Sequence, residues 1–352
     1  MRSIKTGRKR EVNEIVQHDR AVQVGLLLLG KLNGPMNSIF HEDYINRPRR
    51  ELKSGIDSIR GDGLRDEINK FCRNNFENLQ LQDLAKLYEP LYEHGSNWRL
   101  PLINFKKDYG CPKEAVLNGA PLHSTVSLSF WGMQTEFPEM RLIDDIAVSF
   151  NAAVALEDEQ KQFQDISCYK AKAKQPQIAD ILRRSAAERR FCILSCFNLV
   201  EAYINGIAWE YAQTTTFLKL TDKKKNLLTE KDRPVNIIEK IVKIPRIVAE
   251  KEEGPLHETR DPLKTFIETV KPYRDSIVHA SPFSASERFG GYNKLQNLYE
   301  MNLETVRKAV EITLAIIGEI HRYLGGKSKL PMWVPKQKID GTFEIDIFGS
   351  EI

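Results

Sequence analysis

Several kinds of chemistry lack their usual residues in this chain. The 352 residues hold 5 cysteines, an odd number with no framework spacing and no Cys-x-x-Cys pair. Neither a disulfide scaffold nor a structural zinc site is expected. Cys192 and Cys196 stand one helical turn apart among apolar residues, the usual setting of small buried thiols. Free thiols suit a reducing cytosol. No Walker-type glycine loop and no Gly-x-Ser-x-Gly elbow occurs, which argues against an ATPase or a serine hydrolase. The leucine run between Gly25 and Gly30 is far too short to span a bilayer. The basic start lacks the apolar core and small-residue cleavage site of a signal peptide. The expectation is a soluble cytoplasmic protein with no membrane partner, no metal and no cofactor.

An excess of one charge is also missing. Lys and Arg total 52 against 48 Asp and Glu, a net charge of +4. The basic residues are nevertheless clustered: at residues 2–10, at Arg47, Arg49 and Arg50, and at Lys223, Lys224 and Lys225. The last three are candidates for contacting RNA phosphates. Hydrophobic residues make up 41%, enough to build a sizeable core.

The pattern along the chain predicts a mostly α protein. Residues 1–155 read as a mixed α/β region of unknown role. Helical spacing covers 11–33 and 64–92, and Thr125–Trp131 alternates with Val126, Leu128 and Phe130 on one face, the period of a half-buried strand. Ile146–Leu156 fits either strand or helix. Residues 156–177 turn charged and lysine-rich and are the expected linker or hinge. Residues 178–325 read as a helical bundle. Its first helix carries one stripe of Ala187, Phe191, Leu194, Asn198, Glu201, Asn205 and Ala208, and a neighbouring stripe of Ile193, Phe197, Val200, Ile204 and Ile207. A shorter helix spans 235–250. A third opens at Asp261-Pro262, with Phe266, Ile267, Val270, Tyr273, Ile277 and Val278 on its buried side. It is kinked by Pro272 and stopped by Pro282. The loop Ser284–Asn293 is expected to be mobile. A last helix runs from about Asn302 to Leu324. Residues 326–352 form a C-terminal extension in which Asp340-Gly341 predicts a β-hairpin, expected to pair with the strand near Val126.

The chemistry-bearing stretch lies at the end of the third helix: Tyr-Arg274-Asp275-Ser-Ile-Val-His279-Ala-Ser-Pro. It sets a permanent cation near the side chain that shuttles protons near neutral pH. RNA can be cut by its own 2′-hydroxyl. An imidazole moves the protons, and a guanidinium meets the charge that builds on the phosphoryl oxygens. Five positions on a helix turn through roughly 140°, so Arg274 and His279 do not share a narrow face, whereas Asp275 and His279 do. The long arginine stem, the proline kink or a facing second copy could bring the groups together. His18, His41, His94, His123, His257 and His321 show no metal-ligand spacing.

At these residues the chain resembles the HEPN superfamily, whose ribonuclease members carry Arg, four to six residues, then His, usually with a polar residue after Arg. The long preceding helix with Leu-Val-Glu201-Ala-Tyr-Ile-Asn205 and the amphipathic helix after the motif are similar too. The resemblance covers roughly residues 178–325. It implies a HEPN-like helical bundle, homodimerisation through the motif helices, and metal-independent endoribonuclease activity leaving 2′,3′-cyclic phosphate ends. Family enzymes act as toxins or in antiviral defence, which implies an antitoxin or regulatory partner. Arg274 and His279 match the motif directly and Asp275 the polar position. Glu201 and Asn205 are supporting candidates, with Arg274 as the expected partner of Glu201. The tyrosine that some toxin members place after the histidine is absent, and Ser281 stands there. The alternative is a non-catalytic HEPN-like bundle that binds nucleotide, RNA or a partner protein. A purely structural helical protein is the third reading.

Overall fold

The computed structural model describes residues 25, 62–75, 83–84, 98–109, 119–129, 132–163, 172, 174–280 and 291–345. The expected helix over 11–33 (Gly25 apart), the arginine clusters of residues 2–10 and 47–50, and residues 281–290 lie outside them. The chain divides into two compact units, Met1–Phe137 and Pro138–Ile352. Among the described residues helix predominates, with one small antiparallel sheet.

In the first unit the alternation at Thr125 becomes a strand. Helix α1 (Asp62–Asn75) precedes β1 (Trp98–Pro101), α2 (Leu102–Tyr109), β2 (Thr125–Ser129) and β3 (Gly132–Glu136). β2 is central, with Val126 opposite Leu100 on one side and Thr135 on the other. Val126 is fully buried, as its place in the alternation requires. Both edges of β2 are filled, so it offers no edge to a C-terminal hairpin.

The second unit begins with α3 (Pro138–Lys161). Ile146–Leu156, open between strand and helix on pattern alone, is part of that helix. α3 packs along α4 (Gln175–Ala212), so the division falls at residue 137, ahead of the boundary expected near 156. Next come α5 (Thr215–Leu218), α6 (Asp222–Thr229) and α7 (Ile237–Val248). α8 (Leu263–Thr265) runs through a π-helical turn (Phe266–Val270) into α9 (Lys271–Val278). α10 (Gly291–Tyr299) and α11 (Leu303–Tyr323) complete the order. Two of these helix starts are capped by side-chain amides. Asn236 Oδ1 accepts the Ile238 N–H and Asn302 Oδ1 the Thr305 N–H, each at 2.9 Å, satisfying donors that a helix start leaves open.

α4 is the hub: α3, α6, α7, α9 and α11 all pack on it. Of its two adjacent stripes, Ile193, Phe197, Val200 and Ile204 are buried. The stripe through Glu201 lies mostly at the margin of the core, with Phe191 46% exposed and Leu194 and Glu201 half-buried, and enters it at Ala208. By length and composition α4 could cross a membrane, but its apolar stripe is buried against neighbouring helices of its own unit, as in a core helix. α11 buries Val306, Val310, Leu314, Ile317 and Ile320, the expected face.

The Asp340-Gly341 turn forms, with Gly341 at φ +83° and the Lys338 N–H donating to Thr342 O at 2.7 Å. Only the single bridge between Gln337 and Phe343 accompanies it among the described residues, not a pair of strands. The turn docks on α3. Phe343 is buried edge-on to Phe150 with ring centroids 6.3 Å apart. The Asn151 amide donates to Phe343 O and accepts its N–H, both at 2.8 Å. A helix side chain thus supplies the hydrogen bonds that a neighbouring strand was expected to supply.

Among the described residues two charged side chains are buried in this unit, Glu139 and Lys240. The Lys240 side chain is 2% exposed, and its Nζ donates to Glu230 Oε2 at 2.5 Å and Asn205 Oδ1 at 3.1 Å. Glu230 ends α6 in the left-handed region, at φ 49°, and its other oxygen accepts the Val235 N–H at 2.8 Å. Burial pushes the Glu230 carboxyl up, but the hydrogen bonds from Lys240 and Val235 and the lysine charge outweigh it, leaving it below the usual carboxylate value. Because the folded pKa is depressed, the stabilisation is complete above the ordinary value and is lost as pH falls through the folded one. Glu230→Gln strands a buried ammonium. It is expected to cost about 2 kcal/mol at pH 7 in urea unfolding, less than for a fully buried pair because Glu230 is itself 35% exposed. The gap between parent and variant should close as the pH falls below the ordinary carboxylate range. A gap that persists unchanged in acid would reject the assignment.

Candidate functional site

Arg274, Asp275 and His279 all belong to the last turns of one helix. Pro272 dictates how that helix is built. A proline has no N–H, and its ring collides with the carbonyl four residues earlier. Here the chain stays helical by widening the turn just before it, and the Lys271 N–H reaches back five residues to Phe266 O. Such a turn takes in one extra residue. The expected proline kink is thus expressed as a π-turn.

The extra residue re-aims the remainder of the helix. On a regular α-helix, residues 266 and 274 would point about 80° apart, whereas one inserted residue brings them to roughly 20°. Both side chains then face the same partner on α4. Phe266 stacks on Phe197 with centroids 5.7 Å apart and planes 16° from parallel. The Arg274 guanidinium lies 4.6 Å from the centre of the same ring. It is 26% exposed and donates to Asp275 Oδ1 at 3.1 Å. Asp275 also accepts from Lys271 Nζ at 2.7 Å. Burial raises the Asp275 carboxyl, but the hydrogen bonds and charges of Lys271 and Arg274 hold it below its usual range. Ring and carboxylate each contribute on the order of 1 kcal/mol at such half-buried positions, so the arginine is fixed by the two together.

His279 caps the helix at φ −117°, and its backbone N–H donates to Asp275 O at 2.9 Å. Its side chain is exposed. Asp275 serves Lys271 and Arg274 and does not bond the imidazole, so it positions the arginine alone. No hydrogen bond or ion pair joins Arg274 to His279 within the protomer.

The supporting residues divide. Glu201 is half-buried and makes no ion pair with Arg274, which turns instead to Phe197, one helical turn earlier. The expected pairing rested on Glu201 lying on the buried stripe, whereas Glu201 stands at the margin of the core. Asn205 accepts from Lys240 and belongs to the buried-lysine cluster. Lys223, Lys224 and Lys225 stand on α6. The first two are exposed at the rim of a cleft formed with α7, and Lys225 is half-buried. Sequence reasoning missed Phe197 and Lys271 as partners of the motif. The spacing of Lys271 four before Asp275 is a signal that could have found the lysine. Among the described residues no three His, Cys, Asp or Glu side chains gather as metal ligands would.

No family model matches the chain, and no curated protein and no solved structure matches it.

If one inserted residue sets the aim of Arg274, removing it should be tolerated. Deleting Glu268 together with Pro272→Ala is expected to restore an uninterrupted α-helix with Arg274 still over Phe197, shifting unfolding stability by less than about 1 kcal/mol. Phe197→Ala, which removes the shared ring, should cost about 3–5 kcal/mol. A deletion variant that unfolds as readily as Phe197→Ala would sink the phase argument.

Proposed function

We propose that residues 178–325 form a HEPN-like helical bundle acting as a metal-independent endoribonuclease. The observation that carries this reading is the motif helix. A guanidinium is held between a carboxylate and a ring of the hub helix, and an exposed imidazole ends the same helix. Asp275 occupies one edge of the fork, and the remaining donors of Arg274 meet the phosphoryl oxygens as charge builds on them. His279 moves the proton between the 2′-hydroxyl and the leaving 5′ oxygen. A second copy facing the first completes the cleft, pairing the arginine of one protomer with the histidine of the other. The setting is a cytoplasmic toxin or antiviral effector under an antitoxin or other regulatory partner.

The absence of an Arg274–His279 contact within one protomer favours, as second reading, a non-catalytic bundle that binds nucleotide, RNA or a partner protein. The two readings separate in one assay. Purified protein should cut RNA in EDTA and leave 2′,3′-cyclic phosphate ends. His279→Ala is expected to lower the rate by about 10²–10⁴, and Arg274→Ala by about 10²–10³. Full activity in His279→Ala, or strict dependence on magnesium, rejects the nuclease. Binding without cleavage, lost in Arg274→Ala, supports the second reading.

A further inference from the structure

One cavity on the second unit has no part in the Arg274 site. It is a cleft of about 820 Å³ where the end of α4 meets α6, α7 and the turn after α7. Tyr211 at its floor lies fourteen residues along α4 from Phe197, about 21 Å at the helical rise. The floor is apolar, with Leu220, Leu227, Val235 and Ile247. The wall is cationic: Lys223, Lys224, Arg233, Lys243, Arg246 and Lys251. Three carboxylates stand among them, those of Glu239, Glu250 and Glu252.

Part of this positive charge acts on Glu239, whose carboxyl the hydrogen bond of Lys243 and the charges of Lys243, Arg233 and Lys223 hold below its usual range, but six cations face only three carboxylates. Lys243 pairs with Glu239 at 2.7 Å. Lys223, Lys224, Arg233 and Arg246 make no ion pair among the described residues. Two of them are set in place by the fold. Arg233 lies in the loop between α6 and α7, whose backbone is pinned by the buried Asn226: its Oδ1 accepts the Asp232 and Arg233 N–H groups at 2.8 and 3.1 Å. The Arg246 stem packs under Gly254, where a side-chain carbon would lie 2.9 Å from its Cγ. Like charges gathered around an apolar floor repel one another unless an anion joins them.

We infer that this cleft is a binding site for a nucleoside phosphate. The volume lies within the span of small-molecule sites, about 300–1,000 Å³. The floor takes the base, and Lys224, Arg233 and Arg246 take the phosphates. Glu239 and Glu250, which would repel a bare anion, accept hydrogen bonds from ribose hydroxyls or base amino groups. A single RNA strand suits the cleft less well, because such strands follow open basic grooves with aromatic platforms. The aromatic in this lining, Tyr211, is buried. Lys223 and Lys224, which the sequence alone assigns to RNA, meet the phosphates of this smaller ligand instead.

The test is isothermal titration of the full chain with each of the four ribonucleoside 5′-diphosphates, with their parent nucleosides, and with inorganic pyrophosphate. At least one diphosphate should bind one per chain, with a Kd at least tenfold below that of its nucleoside and of pyrophosphate. Lys224→Ser with Arg233→Ser, both exposed positions, should raise that Kd at least tenfold without moving the melting temperature. Arg246→Met, which keeps the stem against Gly254, should raise it as well. Absence of diphosphate binding, pyrophosphate binding equally well, or unchanged affinity in both variants overturns the inference. Displacement of the diphosphate by a six-nucleotide RNA of lower Kd overturns it too. The inference does not rest on RNA cleavage. The same titration of His279→Ala protein should return the parent affinity, so failure of the nuclease assignment and failure of the nucleotide site are read separately.

Discussion

A 38-residue helix with one apolar face must bury that face along its whole length. The packing of the second unit is a consequence. Burial of each large aliphatic or aromatic side chain contributes roughly 1.5–3 kcal/mol, more than a typical polar contact at a half-buried position. Five helices therefore gather on α4, and the polar features are arranged by where each meets it. Along α4, Phe197 receives the motif arginine, Asn205 the buried lysine, and Tyr211 the floor of the cleft. The two candidate sites are separate because they sit on different turns of one rod.

The buried lysine links the core to the cleft. An ammonium inside a protein is tolerated only with close partners. Glu230 and Asn205 are those partners, and the same Glu230 fixes Val235 through its second oxygen. Asn226, one turn before Glu230, fixes the backbone of Asp232 and Arg233. The segment between α6 and α7 carries part of the cleft wall, and it is therefore shaped by hydrogen bonds from buried or half-buried side chains.

What the sequence discloses depends on how local the cause is. The helices at 237–248 and 303–323 are legible because an asparagine cap and an apolar period agree. The strand at 125–129 is legible because two faces alternate. Glu201 is misread because two neighbouring stripes on α4 are both rich in apolar residues, and only packing decides which turns inward. The motif itself is visible as Arg274, Asp275 and His279. Its surroundings are not, since Phe197 is distant in the chain. The cleft escapes for the same reason: beyond the Lys223–Lys225 run its lining comes from separate stretches. The docking of Phe343 on α3 is equally non-local, because the turn residues announce a bend without saying where it lands.

The widened turn ahead of Pro272 works on the helix as a frameshift works on a message. Upstream of it, positions answer to one rotational frame; downstream, every side chain is advanced by a step. The interval between two residues on either side therefore no longer measures the angle between them. Substitutions at Leu263 or Phe266 and substitutions at Arg274 or Ser276 act in different frames. A motif defined by counting residues holds its geometry only when the whole count falls on one side of the slip, as the interval from Arg274 to His279 does.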